Sequence, residues 1–176
     1  MPVADQGQLL NRYKIVPRTL IFLFQGGKIL LLKGNPDKKL WANLYNGVGG
    51  HIERSESVIN AARRELFEET SLRINDLWLC GTIMIDVSEQ IGIGIYIFKG
   101  ELDGELDNEG IQVKLDFQSK DGVLKWIPID ELWDLPLVED LPILLPKIID
   151  CQPEMPPFHA LYSYDKDGKL TVSFND

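Results

Sequence analysis

Apolar residues recur along this chain in short runs separated by polar turns, as expected for β-strands. Two runs, Thr19 to Phe24 and Lys28 to Lys33, flank Gly26-Gly27, which predicts a β-hairpin. Residues 1–16 show no strong periodicity. From Ile91 to Phe98, isoleucine takes every second position and glycines lie between, so a strand is predicted whose glycine face a ligand or a packed helix approaches closely.

The remaining apolar runs predict four more strands and two helices, in addition to the long helix described below. The strands are Leu77 to Val87, Leu124 to Ile127, Phe158 to Tyr164 and Leu170 to Phe174. A short helix is predicted from Asp130 to Leu135. A long helix is predicted from Glu139 to Asp150, with Pro142 in its first turn and Pro146 kinking or shortening it.

One long helix follows a glycine-rich passage and begins after Ser55 or Ser57, either of which can cap it. Strands interrupted by two long helices predict an α/β fold, a mixed sheet with helices on both faces. The length and the lack of repeats predict a single domain over residues 1–176, closed by a helix and hairpin at 139–174.

The composition narrows the partners that this chain can bind. Its net charge is −9, which disfavours nucleic acid polymers and anionic membranes. No run is long enough to cross a membrane, and the N-terminus lacks the pattern of a secretory signal, so we expect a cytoplasmic protein. Cys80 and Cys151 are isolated and predicted to be reduced, and neither they nor the two histidines have zinc-ligand spacing.

Candidate chemistry is concentrated in the first long helix. Residues three and four apart share a helix face, so Glu65, Glu68 and Glu69 are predicted to be neighbours. Most glutamate-rich helices simply present a solvated acidic surface. Clustered carboxylates also suit a hard cation such as Mg²⁺, which prefers oxygen ligands.

The full spacing favours the metal site. Gly50 is followed after five residues by Glu56, and after seven more by Arg64-Glu65-Leu66, Glu68-Glu69 and Leu72. This pattern resembles the signature of the Nudix hydrolases, which cleave nucleoside diphosphates linked to another group. Ser71 stands where that signature has glycine. A residue just past a helix end is often left-handed, so serine there predicts a stability cost of about 1–2 kcal/mol.

The resemblance implies an α/β/α sandwich and assigns roles to particular residues. Glu65, Glu68, Glu69 and the Gly49 carbonyl would bind Mg²⁺, with Mn²⁺ as an alternative, and one of the glutamates would activate or orient water. Arg64 would orient the acids, and Glu56 would anchor the preceding loop. Asp121, ahead of Trp126, takes the place of a further metal-binding acid in the family.

Substrate choice is predicted from residues outside the signature. The stretch Asn46-Gly47-Val48-Gly49-Gly50 is similar to the approach to the signature in oxidised-purine nucleoside triphosphatases of the MutT type. There the asparagine reads the base, and the glycines, Gly50 among them, let the backbone approach the ligand. Glu139-Asp140 resembles the acid pair that binds the purine, although Leu137-Val138 stands where an aromatic residue would stack.

These observations predict a Mg²⁺-dependent pyrophosphohydrolase that converts a nucleoside triphosphate, such as an oxidised purine, to monophosphate and pyrophosphate. Two alternatives stay open at this point. The substrate could be another nucleoside diphosphate derivative, a nucleotide sugar or ADP-ribose. The domain could also be a binding module that kept the fold without catalysis, although such modules usually lose signature carboxylates and this chain has them all.

Overall fold

The computed structural model describes residues 12–102, 116–119 and 121–175. The predicted strands and helices occur in the predicted order, and two short strands that were not predicted, Tyr45–Asn46 and Asp116–Gln118, are added to them. The strands are Lys14–Gln25 (β1), Lys28–Gly34 (β2), Tyr45–Asn46 (β3), Trp78–Asp86 (β4), Ile91–Glu101 (β5), Asp116–Gln118 (β6), Gly122–Pro128 (β7), Phe158–Tyr164 (β8) and Leu170–Asn175 (β9). The α-helices are Val58–Thr70 (α1) and Leu141–Asp150 (α2), and a short 3₁₀ helix spans Ile129–Asp134.

The strands form one mixed sheet in the order β6-β7-β2-β1-β5-β4-β8-β9, with β3 paired to β2. The pairs β1–β5 and β4–β8 are parallel, and the others are antiparallel. The β1–β5 pair runs from Lys14 opposite Ile91 to Phe24 opposite Glu101. The mixed sheet predicted from the sequence is therefore confirmed.

Each face of the sheet packs against one helix. On one face, Ala62 and Leu66 of α1 share a core with side chains of β1, β2, β5 and β7. On the other face, α2 buries a row of four apolar side chains, Leu141, Leu144, Leu145 and Ile148, in a second core that also receives β4 and β8. The alternation of strand side chains between two faces explains both cores. The predicted α/β/α sandwich is confirmed.

Several predicted boundaries were wrong by a few residues. β1 begins at Lys14 rather than Thr19, because its first half pairs with β5, a contact that local periodicity does not reveal. α2 begins at Leu141 rather than Glu139, since Asp140 occupies the N-cap and its carbonyl accepts from the amide of Leu144 at 3.1 Å. α2 continues through Pro146 to Asp150.

The glycines of β5 are explained by a neighbouring strand rather than by a ligand or a helix. A Cβ placed on Gly92 would collide with the Tyr13 hydroxyl, and one on Gly94 would lie 2.8 Å from the Ile15 side chain. The amino-terminal end of β1 therefore needs small residues beside it. Within the described residues, no helix is long and apolar enough to cross a membrane.

Candidate active site

The acidic residues of the site are carried by α1. Ser57 caps the helix, accepting from the amide of Asn60 at 3.3 Å, which confirms one of the two predicted caps. Because Leu66 packs into the core, the glutamates flanking it meet different environments. The side chains of Glu65 and Glu68 are 14% and 57% exposed, whereas Glu69 is only 9% exposed. The three predicted neighbours thus extend from solvent into the protein.

Arg64 holds the outer part of this cluster in place. Its guanidinium donates to both carboxylate oxygens of Glu56, at 2.9 and 3.0 Å, and to Glu65 Oε1 at 2.8 Å. It also donates to the His51 carbonyl at 3.0 Å and lies 3.5 Å from Glu68 Oε2. A planar guanidinium can bind several acceptors at once, which a lysine cannot do in a fixed geometry. Arg64 therefore ties α1 to the loop that precedes it.

Glu69 is the buried acid of the cluster. Its Oε2 atom is shielded from solvent and has no hydrogen-bond partner within the described residues. Burial raises the pKa of Glu69 to about 7, and the charges of Asp121, Glu65 and Glu68 add to this rise while Lys38 opposes it. A buried carboxylate oxygen without a partner is costly, so the arrangement suits a site that binds a cation.

Asp121 lies directly before β7, next to the loop that follows β2. Gly34, the last residue of β2, lies opposite Gly122, the first residue of β7, so the loops beyond them are adjacent. The Asp121 side chain forms an ion pair with Lys38, with Nζ 2.9 Å from Oδ1. Its charge also contributes to the raised pKa of Glu69. Asp121 therefore acts on Glu69 through its charge, while its side chain is held by Lys38.

Residues 46–50, the glycine passage that leads towards α1, run beside β1. The carbonyls of Val48 and Gly50 accept from the amides of Ile21 and Thr19 at 2.6 and 2.9 Å. Among the described residues, the Gly49 carbonyl accepts none of the backbone hydrogen bonds that its neighbours Val48 and Gly50 make. A Cβ on Gly50 would lie 2.5 Å from the Glu65 carboxylate. The Glu65 carboxylate therefore packs directly against the backbone at Gly50, and a larger residue there would displace it.

The predicted base-reading residues, Asn46 and Asp140, lie on adjoining segments, and each side chain is hydrogen-bonded to a different partner. Tyr45 of β3 exchanges backbone hydrogen bonds with the segment before α2, donating to Pro136 at 2.9 Å and accepting from Val138 at 3.1 Å. The Asn46 side chain accepts from the amide of Gly47 at 2.8 Å, and Asp140 accepts from the Tyr162 hydroxyl at 3.1 Å.

The orientations of these two residues differ as well. Asn46 lies opposite Leu32, whose side chain belongs to the core under α1, whereas Tyr162 belongs to the core under α2. Glu139, the other predicted acid, is exposed. Burial raises the pKa of Asp140, the Glu139 charge adds to the rise, and hydrogen bonds from its own amide and from Tyr162 oppose it. A joint role for Asn46 and Asp140 stays a prediction.

The comparisons with known proteins agree with this architecture. A protein-family model described as the NUDIX domain matches residues 14–148. The chain belongs to the Nudix family. The oxidized purine nucleoside triphosphate hydrolase of Danio rerio is 33% identical over 84 residues, which cover 47% of this chain and 53% of that protein. This chain therefore spans about half the length of that relative.

Solved Nudix structures share the fold at low identity. The MutT protein of Bacillus halodurans matches with a TM-score of 0.71 at 20% identity, covering 92% of this chain and 98% of the other. The NUDIX domain of Shewanella oneidensis NrtR, solved with ADP ribose, matches with a TM-score of 0.62 at 17% identity, covering 84% and 96%. At such identities these matches show the fold alone.

Nudix hydrolases generally use divalent metal ions, and the residues present here fit such an ion. The candidate donors are all oxygens, the ligands that Mg²⁺ and Mn²⁺ prefer. The partnerless Oε2 of Glu69 supplies a buried donor. Among the described residues, no three carboxylate, histidine or cysteine side chains are arranged so that together they could hold a metal ion. Glu65, Glu68 and Asp121 are paired instead with Arg64 and Lys38.

Two residues at the site were not predicted from the sequence. Lys38 lies in a polar loop of a kind whose lysines are at least as often solvated as bound to phosphate, and only the β2–β7 register places it beside Asp121. Tyr162 was predicted only as a strand residue, and it is the hydrogen-bond donor to Asp140. An alternating strand that contains a tyrosine carries no signal that would identify a buried partner for its hydroxyl.

Proposed function

We propose that this chain is a Mg²⁺-dependent pyrophosphohydrolase that cleaves an oxidised purine nucleoside triphosphate to its monophosphate and pyrophosphate. The observation that carries the proposal is the buried, partnerless Oε2 of Glu69, a carboxyl on which the charges of Asp121, Glu65 and Glu68 act. The name of the Danio rerio relative supports the class of substrate. The net charge of −9 supports a free nucleotide, rather than a nucleic acid or a membrane, as the partner in the cytoplasm.

In this proposal the acids and the backbone of the glycine passage both bind the metal ion, and the acids also act on water. Glu65, Glu68, Glu69 and the Gly49 carbonyl would hold the ion, with Asp121 facing them from the β7 side. A divalent cation there would neutralise phosphate charge and make a nearby water more acidic. One of the glutamates would orient or deprotonate that water. Arg64 fixes Glu65 through its 2.8 Å hydrogen bond, so the acid does not have to reorganise during the reaction.

The polar groups before α2 would select the base. Burial raises the pKa of Asp140, which favours a protonated carboxyl able to donate to a purine. A site built around such a hydrogen bond discriminates strongly against ligands that cannot complete it. Glu139 would supply a further polar contact, Asn46 would approach the nucleotide separately from the α1 face, and Gly50 would let the phosphates approach the backbone.

A product assay tests this proposal. The protein is incubated with 8-oxo-dGTP, dGTP, ADP-ribose and a nucleotide sugar, with Mg²⁺, Mn²⁺ or EDTA. We expect 8-oxo-dGTP to give monophosphate and pyrophosphate, with no turnover in EDTA. Preferential cleavage of ADP-ribose or the sugar would replace the triphosphate assignment, and binding without turnover of any nucleotide would indicate a non-catalytic module.

A separate substitution tests whether Asp140 recognises the base. Asp140→Asn keeps the shape of the side chain and removes its ionisable proton. We expect kcat/KM for 8-oxo-dGTP to fall by more than about tenfold, with dGTP hydrolysis nearly unchanged. Equal losses for both substrates would mean that Asp140 does not read the base.

A further inference from the structure

The loop after β2 carries a lysine to the edge of the acid cluster. The Asn35 amide donates to the Asp121 carbonyl at 3.3 Å, and the Lys38 amide donates to the Asn35 carbonyl at 3.1 Å. The Lys38 side chain passes the last residue of β2, with its Cδ 3.7 Å from the position of a Cβ on Gly34. The backbone and stem contacts therefore direct the ammonium to the end of β2, where it meets Asp121 at 2.9 Å.

The negative charges at the site are partly offset by two cations, Arg64 and Lys38. Arg64 binds Glu56 and Glu65 and lies 3.5 Å from Glu68. Lys38 binds Asp121, and its charge also reaches the buried Glu69. Arg64 makes five contacts and is held firmly, whereas Lys38 makes one ion pair and is partly exposed, with 33% of its side chain accessible.

We propose that Lys38 is a built-in counter-cation that exchanges partners during the reaction. It neutralises Asp121 beside Glu69 before a divalent ion binds, and it moves to the phosphate chain of the nucleotide afterwards. The second half of this statement rests on the proposed function. Lys38 is in this sense a phosphate-binding residue that also lowers the affinity of the free protein for metal.

The properties of the Lys38–Asp121 ion pair favour an exchange of partners over a permanent ion pair. Partly exposed ion pairs contribute little stability, so breaking one costs little. The ammonium is a point charge on a flexible stem and can bind a phosphate from many directions. A divalent ion at the acids repels the ammonium and competes for Asp121. Negatively charged phosphates on the same side would then be the nearest new partner.

The proposal predicts opposite effects of one substitution on two ligands. For Lys38→Gln in the full chain, we expect Mn²⁺ to bind the nucleotide-free protein about fivefold more tightly, because a competing charge is gone. We expect KM for the nucleoside triphosphate to rise about tenfold, with a smaller change in kcat. Lys38→Arg should largely preserve both values. Lys39→Gln, a change at the exposed next residue, is the matched control and should alter neither by more than about twofold.

Mn²⁺ binding is measured by calorimetry or by electron paramagnetic resonance, and inorganic pyrophosphate with Mn²⁺ serves as a probe that needs no turnover. Pyrophosphate should bind Lys38→Gln more weakly than the parent. In an Asp121→Asn background, the gain in Mn²⁺ affinity from Lys38→Gln should shrink, since the exchange runs through that carboxylate. Melting curves verify that each variant is folded.

The outcomes separate the two proposals. Unchanged or weaker Mn²⁺ binding by folded Lys38→Gln would overturn the counter-cation role. Tighter Mn²⁺ binding with unchanged pyrophosphate affinity would overturn the transfer to phosphate. A parent protein that hydrolyses no nucleotide would contradict the proposed function, while the Mn²⁺ and pyrophosphate measurements would still decide the role of Lys38.

Discussion

Arg64 and Glu56 are joined at two points, Nε to Oε1 at 2.9 Å and Nη2 to Oε2 at 3.0 Å. Glu56 belongs to the loop and Arg64 to α1, so this pair fixes the start of the helix against the glycine passage. It lies mostly out of solvent, with the two side chains 25% and 15% exposed. An ion pair with two aligned hydrogen bonds in such a setting stabilises more than an exposed one.

Glu56→Gln should lower the free energy of unfolding by about 1–2 kcal/mol, because the arginine loses a charged acceptor and keeps a neutral one. Urea unfolding of the parent and the variant measures the difference. Glu53→Gln, at an exposed position in the same loop, should change stability by less than about 0.5 kcal/mol. If both variants unfold like the parent, the pair does not stabilise the loop.

Glu69→Gln should lower the rate of pyrophosphate-bond cleavage by about 10²-fold or more under saturating Mg²⁺. The substitution preserves the side-chain volume but removes a charge from the proposed ion site, and contributions of this kind are worth several kcal/mol in the transition state. Steady-state assays with Glu53→Gln as the control measure the effect, and that control should lose little. Parent-like turnover by Glu69→Gln would mean that the acids of α1 do not carry the metal.

Ser71 adopts the left-handed conformation predicted for it, with φ of 61°, and its amide donates to the Phe67 carbonyl at 2.8 Å. Ser71→Gly should therefore stabilise the fold by up to about 1 kcal/mol and leave turnover unchanged. Thermal melting gives the shift. Ser71→Ala keeps a Cβ in the same strained position and should melt close to the parent. An equal rise for both variants would point to the hydroxyl instead of the backbone.

Asp140 should make stability depend on pH. Burial raises its pKa above the ordinary value of 3.8. Its contribution is therefore fully present at low pH, and it is lost as the pH rises through the folded-state pKa. Asp140→Asn cannot ionise, so its melting temperature relative to the parent should be higher at pH 7 than at pH 4.

Tyr162→Phe is the matched control for this pH effect. It removes the hydroxyl that donates to the carboxylate at 3.1 Å and opposes the raised pKa. The loss of stability between pH 4 and pH 7 should therefore be larger in Tyr162→Phe than in the parent. Parallel pH profiles for the parent, Asp140→Asn and Tyr162→Phe would show that the Asp140 carboxyl ionises equally easily in the folded and unfolded chains.

The parts of the site that lie within one helix could be predicted from the sequence. Glu65, Glu68 and Glu69 are neighbours because helical spacing places them so, and Ser57 and Ser71 mark the two ends of α1 through local backbone chemistry. Such features depend on residues only a few positions apart. The two faces of the sheet were also predictable, since strand side chains alternate with a fixed period.

Features that depend on pairing between distant segments could not be predicted. Lys38 meets Asp121 only because Gly34 and Gly122 share a register. β5 was predicted to end at Phe98, yet it continues and buries Lys99, which is 2% exposed. Its ammonium donates to the carbonyls of Ile149 and Cys151, both at 2.9 Å. A charged residue normally indicates a surface, and only the end of α2 supplies these acceptors.

The parallel pairing of β1 with β5 has a consequence for how activity is acquired during folding. The hairpins β1–β2, β4–β5 and β8–β9 join segments that follow one another, whereas β1 and β5 are separated by β2, β3, α1 and β4. Closing so large a loop before its contacts form is slow. The glycine passage bonds to β1 through Thr19, and α1 packs there as well. During refolding, the acids of α1 should therefore reach their final positions in one late step, when β1 pairs with β5.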